Sequence, residues 1–107
     1  MMTSVKISTI LRLAAERIEN PENDDYTGDH DFCCNALKTV EAQLTNSCYG
    51  KSTRALAFFE DLYRDDFHAG GGDFHKAVWF GNNDETNRGL RVIALYLAAE
   101  FAESEGL

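Results

Sequence analysis

Apolar residues recur at three- and four-residue steps along most of this chain, the period of one helical face. Over residues 6–19 the repeating set is Ile7, Ile10, Leu11, Ala14 and Ile18, which predicts a first amphipathic helix. Asn20-Pro21 ends it, because proline lacks the amide donor and biases the residue before it away from helical angles. A second helix over 32–44 carries Cys33, Ala36, Leu37, Val40 and Leu44 on one face, with one of two adjacent cysteines pointing at the core. Asn46, Ser47 and Gly50 break that helix. Ser52 is placed to cap a third, whose stripe is Ala55, Leu56, Phe59, Leu62 and Tyr63 and whose end is expected near Asp66. The last segment, 85–104, is the most apolar, since between Val92 and Ala102 only Glu100 is charged. A helix apolar nearly all round belongs at the centre of a core, and Asn83 or Asp84 is positioned to cap it.

Two stretches break the helical period. Residues 21–31 are polar and turn-rich, with Asp24, Asp25, Gly28, Asp29 and Asp31, and read as an exposed loop. Between 67 and 80 come His68, Gly70-Gly71-Gly72, then Phe74, His75, Val78, Trp79 and Phe80, a flexible connection leading into an aromatic anchor. The expected architecture is all-α: one domain spanning residues 1–107, a compact bundle of about four helices with the apolar C-terminal helix in its centre. No internal repeat or sustained heptad seam competes with that reading.

Composition narrows the functional classes. A chain of 107 residues, 44% hydrophobic and 11% aromatic, suits a single packed core. Eighteen acidic against ten basic residues give a formal charge of -8. That balance opposes direct binding to nucleic acid or anionic lipid, both of which gain affinity from clustered Lys and Arg. It steers the chain instead toward basic surfaces, including the nucleic-acid-binding faces of other proteins. No apolar run approaches the roughly 20 residues needed to span a bilayer, and Met1-Met2-Thr3-Ser4-Val5-Lys6 does not begin a secretory signal. A cytoplasmic location is the expectation. Cys33, Cys34 and Cys48 are odd in number and two are adjacent, so reduced, partly buried thiols are expected rather than a disulfide framework.

Three groups of residues carry a further resemblance. They are Leu11-Arg12-Leu13-Ala14-Ala15-Glu16 in the first helix, Phe32-Cys33-Cys34-Asn35-Ala36-Leu37 opening the second, and Trp79-Phe80-Gly81-Asn82-Asn83-Asp84 before the last. In this layout the chain resembles an uncharacterised family of small helical proteins of unknown function found in phage and bacterial genomes. The resemblance implies a helical fold and a phage-like origin, and it supplies no catalytic residues.

Candidate chemistry is sparse. His30, Cys33, Cys34, Cys48, His68 and His75 have the ligand types that zinc prefers, yet they form no C-x2-C pair and no matched second pair. Asn23, Asp25, Thr27, Gly28, Asp29 and Asp31 partly imitate a calcium loop, but Cys34 stands at the twelfth position, where a bidentate glutamate is needed. Neither a Cys-His nucleophilic set nor a phosphate loop can be assembled, since Gly70-Gly71-Gly72-Asp73 lacks the required spacing and its Lys-Ser/Thr ending. No metal, cofactor or catalytic residue is therefore nominated. Trp79, Phe74, Phe80, Tyr49 and Tyr63 suit either a recognition patch or closure of the core.

The leading expectation is a non-enzymatic interaction module, of phage accessory or counter-defence type, whose acidic face binds a basic surface of a host protein that handles nucleic acid. Its candidate contacts are Asp24, Asp25, Asp29, Asp31, Glu60, Asp61, Asp65, Asp66 and Trp79. The rival is a small metal-binding regulator or enzyme using His30, His68, His75 and the cysteines. A third reading is a homodimer held by surplus apolar surface on the C-terminal helix.

Overall fold

Helices form where the apolar period runs. The computed structural model describes residues 5–20, 33–48, 50, 53–63 and 85–107. Among the described residues there are four helices and no strand: α1 Ile7–Glu19, α2 Cys33–Thr45, α3 Arg54–Leu62 and α4 Glu85–Ser104. The all-α bundle follows directly. Three helices lie within a residue of the spans expected from periodicity, while α3 stops at Leu62, short of Asp66. Tyr63 is held outside the helix: its amide closes the last turn onto the Phe59 carbonyl (3.2 Å) and its hydroxyl donates to the Ala94 carbonyl (2.9 Å).

α1 and α4 form the largest helix pair and run antiparallel. Ser8 N donates to Leu107 O (3.4 Å), Arg12 Nε donates to Glu103 Oε1 (2.8 Å), and the Tyr96 hydroxyl donates to Glu19 Oε1 (3.3 Å), successive rungs from one end of the pair to the other. Between the rungs Ile10, Leu11, Ala14, Ala15 and Ile18 of α1 and Ala94, Leu95, Ala98, Ala99 and Ala102 of α4 are fully buried in one core cluster. The alanines keep the two backbones close, because interaxial distance follows the size of the side chains at the contact. α3 also runs antiparallel to α4, with the Phe58 and Phe101 rings 6.0 Å apart and Tyr63 near Ala94. α2 packs on α1 and α3 through Cys33, Ala36, Leu37 and Val40.

Helix ends are closed by backbone as much as by side chains. At the end of α2, Asn46 N donates to Gln43 O (3.4 Å) and Ser47 N to Ala42 O (2.9 Å), with Asn46 at φ 54. Gly106 (φ 77) repeats the arrangement after α4, with Gly106 N to Glu103 O (3.1 Å) and Leu107 N to Ala102 O (2.8 Å). Both are Schellman closures, which need a left-handed residue and so select Asn or Gly there.

The start of α3 is closed by another helix. Its N-cap residue is Thr53, whose side chain makes no capping bond; Ser52, expected in that role, lies outside the described residues. Instead the fully buried carboxylate of Glu41 on α2 accepts from Ala55 N through Oε1 (2.9 Å) and from Arg54 N through Oε2 (3.3 Å). Arg54 folds back onto the same oxygen through Nε (3.4 Å), and its Nη2 donates to the Val5 carbonyl (2.6 Å). One carboxylate thus satisfies free donors at a helix N-terminus, where the helix dipole also favours negative charge.

α4 anchors the core on one side only. Its outer face leaves Ile93, Leu97 and Phe101 about half exposed, at 51%, 52% and 46%. Leu44, placed by periodicity on the core face of α2, is 40% exposed: it falls in the last turn of α2, one residue before the helix ends.

Candidate interaction surface

Of the acidic contacts expected from the sequence, Glu60 and Asp61 fall on α3 and both side chains are exposed. They edge an open cleft of about 700 Å³ lined also by Lys38, Thr53, Leu56, Ala57 and Phe58. Asp24, Asp25, Asp29, Asp31, Asp65, Asp66 and Trp79 lie outside the described residues, as do His30, His68, His75, Tyr49, Phe74 and Phe80, the glycine run and the calcium-like loop. Tyr63, the remaining member of the aromatic set, belongs to the core: it is buried, and its ring stands 5.0 Å from that of Phe59.

The fold sorts charge by sign. Glu16, Glu19, Glu60, Asp61, Glu100, Glu103 and Glu105 are exposed, whereas among the described cations only Lys6 and Arg54 are. Arg91 is fully buried. Arg12 is bound to Glu103, Arg54 to Glu41 and Val5, and Arg17, Lys38, Arg88 and Arg91 are each engaged within the chain. The hydrogen bond to Glu103 raises the Arg12 pKa further, against its partial desolvation. Among the described residues, then, most carboxylates other than the buried Glu41 stand at the surface, while Arg91 is buried and Arg12 and Arg54 are paired with carboxylates. Sequence reasoning counted these cations without locating them; the signal was that Arg91 lies three and four residues before Ala94 and Leu95, on the buried face of α4.

The outer face of α4 is the second surface feature. Ile93, Leu97 and Phe101 are spaced at four-residue steps, which stacks them into one stripe along the helix. Phe58 extends the stripe onto α3 through its ring contact with Phe101. Glu100, Glu103 and Glu105 crowd the same end of α4, and beyond Arg91 the helix carries no Lys or Arg. Carboxylates at a helix C-terminus oppose the dipole; Arg12 reaches across from α1 to offset part of that charge.

The cysteines differ in environment. Cys33 is buried, Cys34 half-buried and Cys48 exposed, and none is in a disulfide. Burial pushes the Cys33 thiol from 9.0 up to about 12, although the Arg91 charge pulls it down. Since the thiolate is the reactive form, Ellman's reagent at pH 8 is expected to modify Cys48 quickly and Cys33 only after unfolding. Equal rates for all three thiols in the native protein would contradict this ordering. Among the described residues no group of three or more His, Cys, Asp or Glu is arranged to hold a metal ion, and no helix is long and apolar enough to cross a membrane.

Tyr96 marks the border between the two features. Burial, and then the Glu19 and Glu16 carboxylates, raise its phenol pKa, so it stays a neutral donor to Glu19 and joins the outer edge of α4 to the acidic end of α1. Compared with known proteins, the chain matches no family model, no curated protein and no solved structure.

Proposed function

We propose that this chain is a non-enzymatic, cytoplasmic protein-interaction module that binds a basic surface of another protein. The observation that supports the reading best is the sorting of charge: exposed carboxylates on α1, α3 and α4, against arginines that are buried or bound internally. Such a surface raises the encounter rate with positively charged partners and discourages nucleic acid and anionic membranes. A basic surface on a host protein that handles nucleic acid meets this description, and the resemblance to small phage-type helical proteins is consistent with an accessory or counter-defence role of that kind.

The test is capture from host lysate by the immobilised protein, with bound proteins identified by mass spectrometry. Basic proteins are expected on the resin at about 0.1 M salt and should be lost toward about 1 M, as the screening length shrinks from about 10 Å to about 3 Å. Exchanging Glu60 and Asp61 together for lysine should reduce capture. A set of bound proteins with no basic bias, unchanged by salt and by the exchange, would sink the proposal.

A further inference from the structure

The acidic surface does not by itself say where a partner seats, but the outer face of α4 adds shape and apolar content to the charge. We propose that the stripe Ile93, Leu97 and Phe101, extended by Phe58, docks a basic amphipathic helix of a protein partner. This inference rests on the proposed function and gives it a location.

The stripe is built as helix-binding surfaces are. Its anchors stand one turn apart, so a second helix laid along α4 meets an apolar contact at each of its own turns. The three side chains are about half exposed, leaving area to remove from water, while Phe101 is in ring contact with Phe58 at 6.0 Å. Interfaces of this type have an apolar centre and a polar rim. Here the rim is acidic through Glu100, which lies three residues beyond Leu97, and Glu105 just past the helix end, while Glu103 is paired with Arg12.

Charge then selects the occupant. A second copy of this chain would bring like charge to the interface, because a twofold pairing centred on Leu97 places the two Glu100 residues close to its axis. It would also join two chains of formal charge -8, a mutual repulsion that opposes association. An anionic membrane surface meets the same repulsion, since interfacial helices flank their apolar face with Lys and Arg. A helix whose apolar stripe is flanked by Lys or Arg gains on both counts, and its cations also relieve the unfavourable carboxylates at the C-terminal end of α4.

The probe is a fluorescein-labelled helical peptide of leucine and lysine patterned with one apolar face, followed by anisotropy against the full chain. Its control is a scrambled peptide of the same composition. Binding is expected to weaken about tenfold in the double variant Ile93→Ser/Leu97→Ser, to weaken in Glu100→Lys, and to be poorer for the scrambled peptide. Circular dichroism should find the double variant as helical as the parent, since both side chains face solvent.

Equal affinity for the double variant, or for the scrambled peptide, overturns the inference. Loss of binding only in the Glu60→Lys/Asp61→Lys protein places the basic partner on α3 instead and leaves the proposed function standing. A chain that captures basic proteins from lysate in a salt-sensitive way yet ignores the peptide likewise refutes the α4 site alone. Dimerisation in light scattering that the double variant abolishes gives the face to a second copy, and also overturns the inference.

Discussion

Replacing Glu41 with alanine is expected to lower folding stability by about 2–3 kcal/mol, an unusual cost for a glutamate in a protein this acidic. The reason is its position. Glu41 is fully buried on α2 and accepts from the first amides of α3, so the substitution leaves the buried Ala55 N–H without an acceptor and opens a void between the helices. Half of the interaction adds little, because the Arg54 side chain is 47% exposed and its attraction to Glu41 is screened by water. The penalty therefore falls mainly on the α3 amides. Glu41→Gln keeps one carbonyl acceptor and should lose roughly half as much. Urea denaturation of the three proteins measures the order directly. A Glu41→Ala midpoint matching the parent would mean that water reaches the α3 amides and that the cross-helix cap contributes nothing.

The second large effect is at Phe59, where truncation to alanine is expected to cost about 3–5 kcal/mol, through lost burial and the void left behind. Phe59 is fully buried in the core cluster, and its ring lies 5.0 Å from that of Tyr63 at a tilt of 59°. Tyr63 in turn bonds the Ala94 carbonyl, so this ring pair, beside the Phe58–Phe101 contact, ties the end of α3 to α4. With about 4–8 °C of midpoint per kcal/mol for a domain of this size, the loss should appear as a fall of more than about 12 °C in thermal unfolding. Phe59→Leu keeps most of the volume and should cost about 1.5 kcal/mol or less. If alanine and leucine cost the same, the site is not filled by the ring as described. Because domain stabilities are about 5–15 kcal/mol in total, either large prediction tests whether the short α3 is integral to the fold.

Much of this architecture was legible from the spacing of apolar residues. The sets Ile10, Leu11, Ala14, Ile18 and Cys33, Ala36, Leu37, Val40 occupy the buried faces of α1 and α2, because burial of one stripe is what makes such helices form at all. Periodicity failed where tertiary geometry decides. Leu44 has the right spacing for the core, but it sits in the last turn of α2 and is 40% exposed. The apolar run of α4 placed it at the centre of the bundle, where it packs on α1 and α3; within that run Ile93 and Leu97 are about half exposed. Charged residues inside apolar stripes were the signal passed over: Glu41 follows Leu37 by one turn and lands in the core, as Arg91 does before Leu95. A carboxylate there can persist only if something donates to it, and that donor is a helix start, a relation no sequence spacing encodes. Of the acidic contacts, Glu60 and Asp61 were found exposed as a polar helix face should be, and the remaining ones lie outside the described residues.

The antiparallel pairing of α1 with α4 also bears on how the chain is made. α1 is synthesised before α2 and α3, yet its most extensive apolar contacts are with the helix that emerges after them. Among the described helices, a chain ending before α4 leaves Ile10, Leu11 and Ile18 only α2 and α3 to pack against, and so a partly uncovered apolar stripe. Truncation within α4 is therefore expected to uncover this stripe and to lead to aggregation rather than to a smaller stable domain.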